Sequence, residues 1–320
     1  MGQRKCSGYA VYVADAFARQ IFGGNQAGVV ILGEAQEFPE EALMRKIAGE
    51  MKHSETAFVK RLSRDAFRVR YFTPLEEVAL CGHATIGAFG VLYEEGMIRD
   101  GRYRLYPGAG REGQEPLAVD VEQGNVWMDM APPRTLQILD RQQAAELYEA
   151  YGLDAREADR AELLPAIVNT GLSDIILPTA GQRSLEGAVQ DCRRVTELSR
   201  RYQVVGVHMF CLGEGRVTAH CRNFAPAVGI DEESATGTAN GALTWYLYQN
   251  GLLQPEGENL FLQGEAMEKP SYIKSRLSMT QEGPVVRIGG QARIFLKGQI
   301  YGEEPKKAEM MTGDEQEGKV

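Results

Sequence analysis

The chain has 320 residues, 43% of them hydrophobic, so it is long enough for about two domains with separate cores. Its formal net charge is −9 and no run of lysine and arginine is flanked by aromatic residues, which disfavours binding to nucleic acid or to an anionic membrane. The five cysteines are odd in number and widely spaced, and no apolar run approaches the length of about 18 residues expected of a membrane span, so we expect a cytoplasmic protein without a disulfide framework.

Apolar patterns predict strands and two helices in the first part of the chain. Apolar residues recur every four positions at Leu43, Ile47 and Met51, a spacing typical of an amphipathic helix over residues 40–52. A second, more apolar helix is predicted at residues 86–93, where Gly96 closes it. Strands are predicted at residues 9–17, 29–32, 55–61, 66–72, 103–106 and 117–130, with the third and fourth forming a hairpin.

The second part of the chain repeats this mixture. Surface helices are predicted at residues 141–151 and 188–202, and an apolar helix at residues 242–248, which Gly251 closes. Strands are predicted at residues 167–177, 204–210, 217–221, 271–279, 284–288 and 292–300. The final stretch is charged and poor in apolar residues, which predicts a disordered tail at residues 305–320.

One sequence pattern occurs twice in the chain. Residues 70–74 read RYFTP and lead to CGHATIG at 81–87, whereas residues 222–226 read RNFAP and lead to TGTANG at 236–241. Such a duplication implies two similar lobes, and in each lobe the glycine turn lies at the N-terminus of an apolar helix. Unpaired backbone N–H groups and the positive end of the helix dipole gather there, so two such ends across a cleft would hold a carboxylate without a metal.

Several short segments, taken in order, resemble the PhzF-like family of phenazine biosynthesis proteins. The resemblance runs from about residue 11 to residue 300. The segments are DAF at 15–17, GN at 24–25, SETAFV at 54–59, RYFTP at 70–74, GHAT at 82–85, TG at 170–171, FAP at 224–226, ATGTA at 235–239, QG at 263–264 and PS at 270–271.

The resemblance implies an α+β fold of the diaminopimelate-epimerase-like type. In that fold two pseudo-symmetric lobes each wrap a bent mixed β-sheet around a central helix, and the active site lies between them. We expect residues 1–118 and 294–304 to form the N-terminal lobe and residues 119–293 the C-terminal lobe. The resemblance also implies a homodimer and an activity that needs no cofactor.

Glu55 and His83 are the candidate catalytic residues of the first lobe. Glu55 precedes a strand whose alternation places Ala57 and Val59 on the same face as the carboxylate, so the acid is expected to point toward a buried side. A carboxyl there can take a proton from an activated carbon and return it elsewhere. The residues alone leave a solvated glutamate and a structural histidine open, but the resemblance implies an acid–base role for Glu55 and a substrate contact for His83.

In the second lobe the chain departs from the family pattern. The family usually has Glu-Asp-Pro before Ala-Thr-Gly-Ser-Ala, with the aspartate and the serine near the substrate. This chain has Glu233 and Thr238 in those places, which puts the substrate in doubt more than the reaction class. We count Glu233 with the catalytic residues. The predicted substrate-binding residues are Asn25, Gly82, Gly237 and Thr238.

Cys81 leaves two alternatives open. Related epimerases of this fold use two cysteines, one before each glycine turn, but this chain offers Thr236 in the second place, and a threonine hydroxyl is too weak a base. Cys81 is therefore either a plain apolar residue or the thiol of a rival epimerase or hydroxyproline-type dehydratase. No metal site is predicted from His208, Cys211, His220 and Cys221, because adjacent strand residues point to opposite faces.

The sequence thus predicts a cofactor-independent isomerase that moves a proton between carbons of a small carboxylated, amino-bearing substrate, with Glu55 as the proton carrier. An alternative function of a different class is that of a catalytically silent protein that binds a metabolite at the two helix ends. Exchange of carbon-bound hydrogen would distinguish the two.

Overall fold

A computed structural model describes residues 7–110 and 114–302 of the chain. The elements of the first part are β1 (Ser7–Ala16), β2 (Asn25–Ile31), α1 (Glu41–Met51), β3 (Thr56–Arg61), β4 (Ala66–Phe72), β5 (Glu77–Val78), α2 (Gly82–Glu94), β6 (Gly101–Pro107), β7 (Leu117–Glu122) and β8 (Asn125–Asp129).

The second part begins with a short strand and ends with three consecutive strands. Its elements are β9 (Arg134–Ile138), α3 (Arg141–Ala150), α4 (Glu157–Ala161), β10 (Ala166–Asn169), β11 (Ser173–Pro178), α5 (Gln182–Gly187), α6 (Cys192–Tyr202), β12 (Gly206–Leu212), β13 (Ala219–Ala225), β14 (Ile230–Glu233), α7 (Gly237–Gln249), β15 (Glu258–Gln263), β16 (Ser271–Thr280), β17 (Gly283–Gly290) and β18 (Ala292–Gly302).

Strand pairing repeats the duplication that the sequence shows. In the first half β1 pairs antiparallel with β2, β2 parallel with β3, β3 antiparallel with β4, β4 parallel with β6, and β6 antiparallel with β7. The same alternation runs through β10, β11, β12, β13, β15 and β16 in the second half. The fold is therefore α+β with two pseudo-symmetric lobes, as the sequence predicted, whereas the residue boundaries of the lobes stay a prediction.

The two halves exchange strands at their edges. The last strand, β18, returns to pair antiparallel with β1, and β17 pairs antiparallel with β8, where Ile288 lies opposite Met128. These pairings join both halves into one continuous sheet.

Each half wraps its sheet around one central helix. Helix α2 buries residues 83–92 without a break and packs against β1, β2 and β18, and α7 packs against β10, β11, β16 and β17. A helix that is apolar on all sides must be covered on all sides, so the bent sheets follow from the composition of these two segments. The remaining helices cover the outer faces of the sheets, and none of the described helices is long and apolar enough to cross a membrane.

Several predicted elements differ from the structure. Residues 117–130 and 167–177 each form two strands, because Gln123 and Gly124 turn the chain with positive φ (51° and 73°) and Gly171 does so with φ 124°. The helix predicted from residue 188 begins at Cys192, since the side chain of Asp191 caps it. Helices α2 and α7 also begin earlier than the predicted residues 86 and 242, because each glycine turn is the first turn of its helix. Strands β5, β9, β14 and β15 and helices α4 and α5 were not predicted, and the predicted tail lies outside the described residues.

Two helical glycines provide a test of the wrapping. A Cβ on Gly90 of α2 would lie 2.5 Å from the Cβ of Ala292 in β18, whereas a Cβ on Gly49 of α1 would meet nothing within 4 Å. We expect Gly90→Ala to lower the free energy of unfolding by about 1–3 kcal/mol through overpacking. Gly49→Ala should raise it by about 0.5–1 kcal/mol, because alanine is the better helix former. Urea denaturation of both variants checks this, and stabilisation by Gly90→Ala would contradict the close packing of α2 on β18.

Candidate active site

The N-termini of the two central helices lie in the same cleft. The side chain amide of Asn25, in the first half, donates to Oε1 of Glu233 (2.9 Å) and to the carbonyl of Ala235 (3.0 Å) in the second half. The hydroxyl of Ser234 donates back to the carbonyl of Gly24 at 2.8 Å. These bonds hold the segment before α7 against the glycine turn before β2.

The two helix N-termini have nearly the same geometry. The N-cap residues Cys81 and Thr236 are both extended, with φ, ψ of −136°, 117° and −131°, 104°. The N-cap carbonyl accepts a hydrogen bond from Thr85 in one half (2.7 Å) and from Asn240 in the other (2.9 Å). A Cβ on Gly82 would meet nothing within 4 Å, so open space lies beside this turn. Free backbone N–H groups at each end can bind an anion.

Glu55, His83 and Cys81 form a cluster on the first side of the cleft. Nε2 of His83 lies 3.4 Å from Oε2 of Glu55, and Nδ1 lies 3.4 Å from Sγ of Cys81. Oε2 of Glu55 is buried and accepts no hydrogen bond from any described residue. A buried carboxylate oxygen without a donor has its acceptor capacity free for a group of a bound ligand.

Glu233 lies on the second side of the cleft in a denser hydrogen-bond network. Its Oε2 accepts from the hydroxyl of Thr236 at 2.5 Å, and its backbone carbonyl accepts from Nε2 of Gln263 at 2.7 Å. Burial raises the pKa of Glu233, against the opposing effects of His83, Thr236 and Asn25. The carboxyl is held in place more firmly than that of Glu55.

An arginine–glutamate ion pair fixes the acidic loop before each of the central helices α2 and α7. Arg70 donates two hydrogen bonds to Glu77 (2.8 and 2.6 Å), and Arg222 donates two to Glu232 (2.9 and 2.8 Å). Both pairs have little exposure, and a bidentate guanidinium–carboxylate pair restrains orientation as well as distance. The duplicated arginines thus have a structural role on either side of the site.

The structure brings together every residue that the sequence predicted for the site. Glu55, Cys81, Gly82 and His83 lie at the first helix end, and Glu233, Gly237 and Thr238 at the second, with Asn25 bridging them. The carbonyl of Thr238 accepts from the hydroxyl of Thr170 at 2.8 Å, which places that short TG segment at the site too.

Two network residues were not predicted from the sequence. Asn240 donates to Oε1 of Gln263 at 2.8 Å, and Gln263 in turn contacts Thr236. A sequence signal for Asn240 exists: it lies four residues after the N-cap Thr236, as Thr85 lies four residues after the N-cap Cys81 in the first copy of the motif. Gln263 had been quoted only as part of a family segment.

Among the described residues, Glu55, Cys81 and His83 form the one group whose ligand atoms are close enough to hold a metal ion, all within 4.8 Å. In the structure these groups contact one another: Nε2 of His83 lies next to the carboxylate, and Nδ1 lies next to the thiol. His208, Cys211, His220 and Cys221 do not form such a group among the described residues. Cys211 lies opposite His220 in the pairing of β12 with β13, but His208 contacts Asn223 and His220 contacts Glu265.

A third acid lies near the cleft. Asp174 of β11 is buried beside Gly206 of β12, and burial, with the charge of Glu233 next, raises its pKa from 3.8 to about 7. An aspartate within an apolar strand gave no sequence signal, because its proximity to Glu233 depends on how the sheet bends.

Comparison with known proteins places this geometry in a family. A family model described as phenazine biosynthesis-like protein matches residues 14–298. A relative from Deinococcus radiodurans, described as an uncharacterised isomerase, is 38% identical over 284 residues, which cover 86% of this chain and 89% of the relative.

Solved structures show the same fold. The crystal structure of a PhzF-family phenazine biosynthesis protein from Bacillus anthracis has a TM-score of 0.79 and 24% identity, and the match covers 92% of this chain and 99% of that chain. A hydroxyproline epimerase from Agrobacterium vitis, solved with bound trans-4-hydroxy-L-proline, has a TM-score of 0.59 and 12% identity over 94% and 93% of the two chains. The fold is therefore that of the diaminopimelate-epimerase-like proteins.

The buried acid Asp174 predicts a pH-dependent loss of stability. Since its pKa is raised from 3.8 to about 7, the native state is favoured while the group is protonated, and this advantage is lost as the pH rises from about 4 through about 7. A shift of that size corresponds to a penalty on the order of 4 kcal/mol at pH 8. We expect Asp174→Asn to be more stable than the wild type at pH 8, and the difference to shrink toward pH 4. Urea denaturation across this range measures it.

Asp100→Asn is the matched control, because Asp100 is exposed. Its stability relative to the wild type should not change with pH. An Asp174→Asn difference that is equally flat would show that the carboxyl is not buried as described.

Proposed function

Because this chain belongs to the phenazine biosynthesis-like family and is an isomerase, we propose that it moves a proton between two carbons of a small carboxylated, amino-bearing substrate. Glu55 is the group that takes the proton from one carbon and returns it to the other. The reaction needs no cofactor in this proposal, since one carboxyl serves as base and then as acid.

The observation that carries the proposal is the environment of Glu55 Oε2. This oxygen is buried, accepts no hydrogen bond from the described residues, and lies 3.4 Å from Nε2 of His83, the residue that follows Gly82. A general base must reach the proton it takes, and a base without competing donors loses no hydrogen bond when it is protonated.

The two helix ends support carboxylate binding. Backbone N–H groups at Gly82 and His83, and at Gly237 and Thr238, are at the first turns of helices of 13 residues each. An anion bound between them is stabilised by both helix dipoles, and negative charge that develops when the carbon loses its proton is stabilised by the same groups.

Glu233 and Asn25 complete the proposed site. Their hydrogen bond joins the two halves, and Glu233 offers oxygens to an amino or hydroxyl group of the substrate. Because Glu233 is already bound by Thr236 and Asn25, it orients the substrate in this proposal, and Glu55 transfers the proton.

The two-thiol epimerase is the less supported alternative. Thr236 replaces the second thiol and donates its hydroxyl proton to Glu233, so that position offers no base. Burial, together with the charge of Glu55, raises the pKa of Cys81 well above its usual range, which keeps it a thiol at neutral pH. Loss of activity on alkylation of Cys81, prevented by substrate, would favour the alternative.

The homodimer that the family resemblance implies also stays a prediction.

Hydrogen exchange into carbon tests the function directly. The protein is incubated in heavy water with dihydro-hydroxyanthranilate and with stereoisomers of proline, hydroxyproline and diaminopimelate, and carbon-bound hydrogens are followed by NMR. Exchange or isomerisation with one of these compounds identifies the substrate class. Binding without exchange across the whole set would favour the silent metabolite-binding protein.

Glu55→Gln is the decisive variant. It keeps the size and the polarity of the side chain but removes the base, so turnover should fall by about a thousandfold or more while ligand affinity stays within a fewfold. Turnover is measured by the same NMR assay and affinity by calorimetry.

Glu50→Gln is the matched control, because Glu50 is exposed on α1 and lies in the same half of the molecule. It should behave as the wild type. A Glu55→Gln enzyme with undiminished exchange would rule out Glu55 as the proton carrier.

A further inference from the structure

Two polar groups contact the imidazole ring of His83. Sγ of Cys81 lies 3.4 Å from Nδ1, and Oε2 of Glu55 lies 3.4 Å from Nε2. The thiol and the carboxylate thus contact different nitrogens, although ligand atoms of all three residues lie within 4.8 Å of one another. A neutral imidazole carries its proton on one nitrogen only, and its neighbours decide which.

Toward Nδ1 the thiol is a better donor than acceptor. Burial, reinforced by the charges of Glu55 and Glu233, raises the pKa of Cys81 well above its usual range, so the sulfur keeps its proton. A protonated thiol has one hydrogen to donate, and its sulfur is a weak acceptor. Nδ1 of His83 is within reach of that hydrogen.

The other side of the ring favours the same tautomer. If Nδ1 carried the proton, the lone pair of Nε2 would face a carboxyl oxygen of Glu55 at 3.4 Å, an arrangement that is repulsive. With the proton on Nε2 this repulsion is absent, although the contact with Oε2 falls short of a hydrogen bond. The hydroxyl of Ser54 lies on this side too, 3.5 Å from Nε2, and can accept from the same N–H.

We propose that Cys81 is a positioning residue for the proton transfer: its S–H donates to Nδ1 of His83 and holds the imidazole in the tautomer whose Nε2–H faces Glu55. This inference rests on the proposed function of Glu55. It gives the one thiol of the cleft a role that is neither that of a base nor that of a space-filling residue.

The second half of the molecule uses its N-cap residue in the same way. Thr236, the counterpart of Cys81, donates its hydroxyl proton to Oε2 of Glu233 at 2.5 Å. In each half the N-cap side chain therefore orients a polar group of the site by donating a hydrogen bond. The partner is His83 in one half and Glu233 in the other.

The tautomer of His83 is read directly by NMR. In the full-length protein labelled with nitrogen-15, long-range proton–nitrogen correlations distinguish a protonated Nε2 from a protonated Nδ1, and His83→Gln assigns the signals among the four histidines. We expect a protonated Nε2 in the wild type. Cys81→Ser keeps a donor and should keep this tautomer, whereas Cys81→Ala should give a mixture of both.

Activity should follow the tautomer. Cys81→Ala is expected to lower kcat by about tenfold with KM within about twofold, and Cys81→Ser to restore kcat to within about threefold of the wild type. Cys211→Ala and Cys211→Ser are the matched controls, because Cys211 is a buried cysteine of β12 among residues outside the cleft, and neither should move the His83 signals.

Two results would overturn the proposal. If Cys81→Ala left the tautomer unchanged, the thiol would not set it. If Cys81→Ser were as inactive as Cys81→Ala while its His83 signals stayed those of the wild type, a thiol as such would be required and Cys81 would act as a base. The NMR measurement needs no turnover, so it decides about Cys81 even if Glu55→Gln proved active and the proposed function failed.

Discussion

The structure depends on one constraint, which is that two helices with apolar surfaces on all sides must each be covered completely. Helices α2 and α7 are enclosed by bent sheets of identical pairing order, and only their N-termini reach the cleft. A helix N-terminus is the part that most needs polar partners, because its first N–H groups have none within the helix. The burial that builds the two cores therefore also directs two sets of free N–H groups at a common space.

The scaffold is symmetric, but the side chains it presents are not. The extended N-cap, the hydrogen bond to its carbonyl and the arginine–glutamate pair occur in both halves. At equivalent positions the first half has Cys81 and His83, and the second has Thr236 and Thr238. In the proposed function, a substrate between the two ends would meet a thiol and an imidazole on one side, and two hydroxyls with Glu233 on the other.

Motifs and apolar periods in the sequence predicted those elements whose structure depends on neighbouring residues. The duplicated motif gave both central helices and their facing ends, and the period of the first amphipathic helix gave α1 to within one residue at each end. The features that the sequence did not predict depend on single turn residues or on contacts between distant parts of the chain. Gln123 adopts a positive φ that its residue type does not signal, and Asn25 bonds to Glu233 across 208 positions. Asp174 acquires its environment only when the sheet bends around α7.

The charges of the cleft support the proposal that the substrate is an amino-bearing acid and not a simple carboxylate. Among the described residues no lysine or arginine forms an ion pair with Glu55 or Glu233, and the raised pKa of Glu233, due first to burial, shows that its negative charge is poorly compensated. A carboxylate at the helix ends alone would add negative charge to this site. A substrate that also carries an ammonium group places a positive charge beside the acids while its carboxylate occupies the N–H groups. The opposite demands of helix ends and buried acids thus favour a zwitterion.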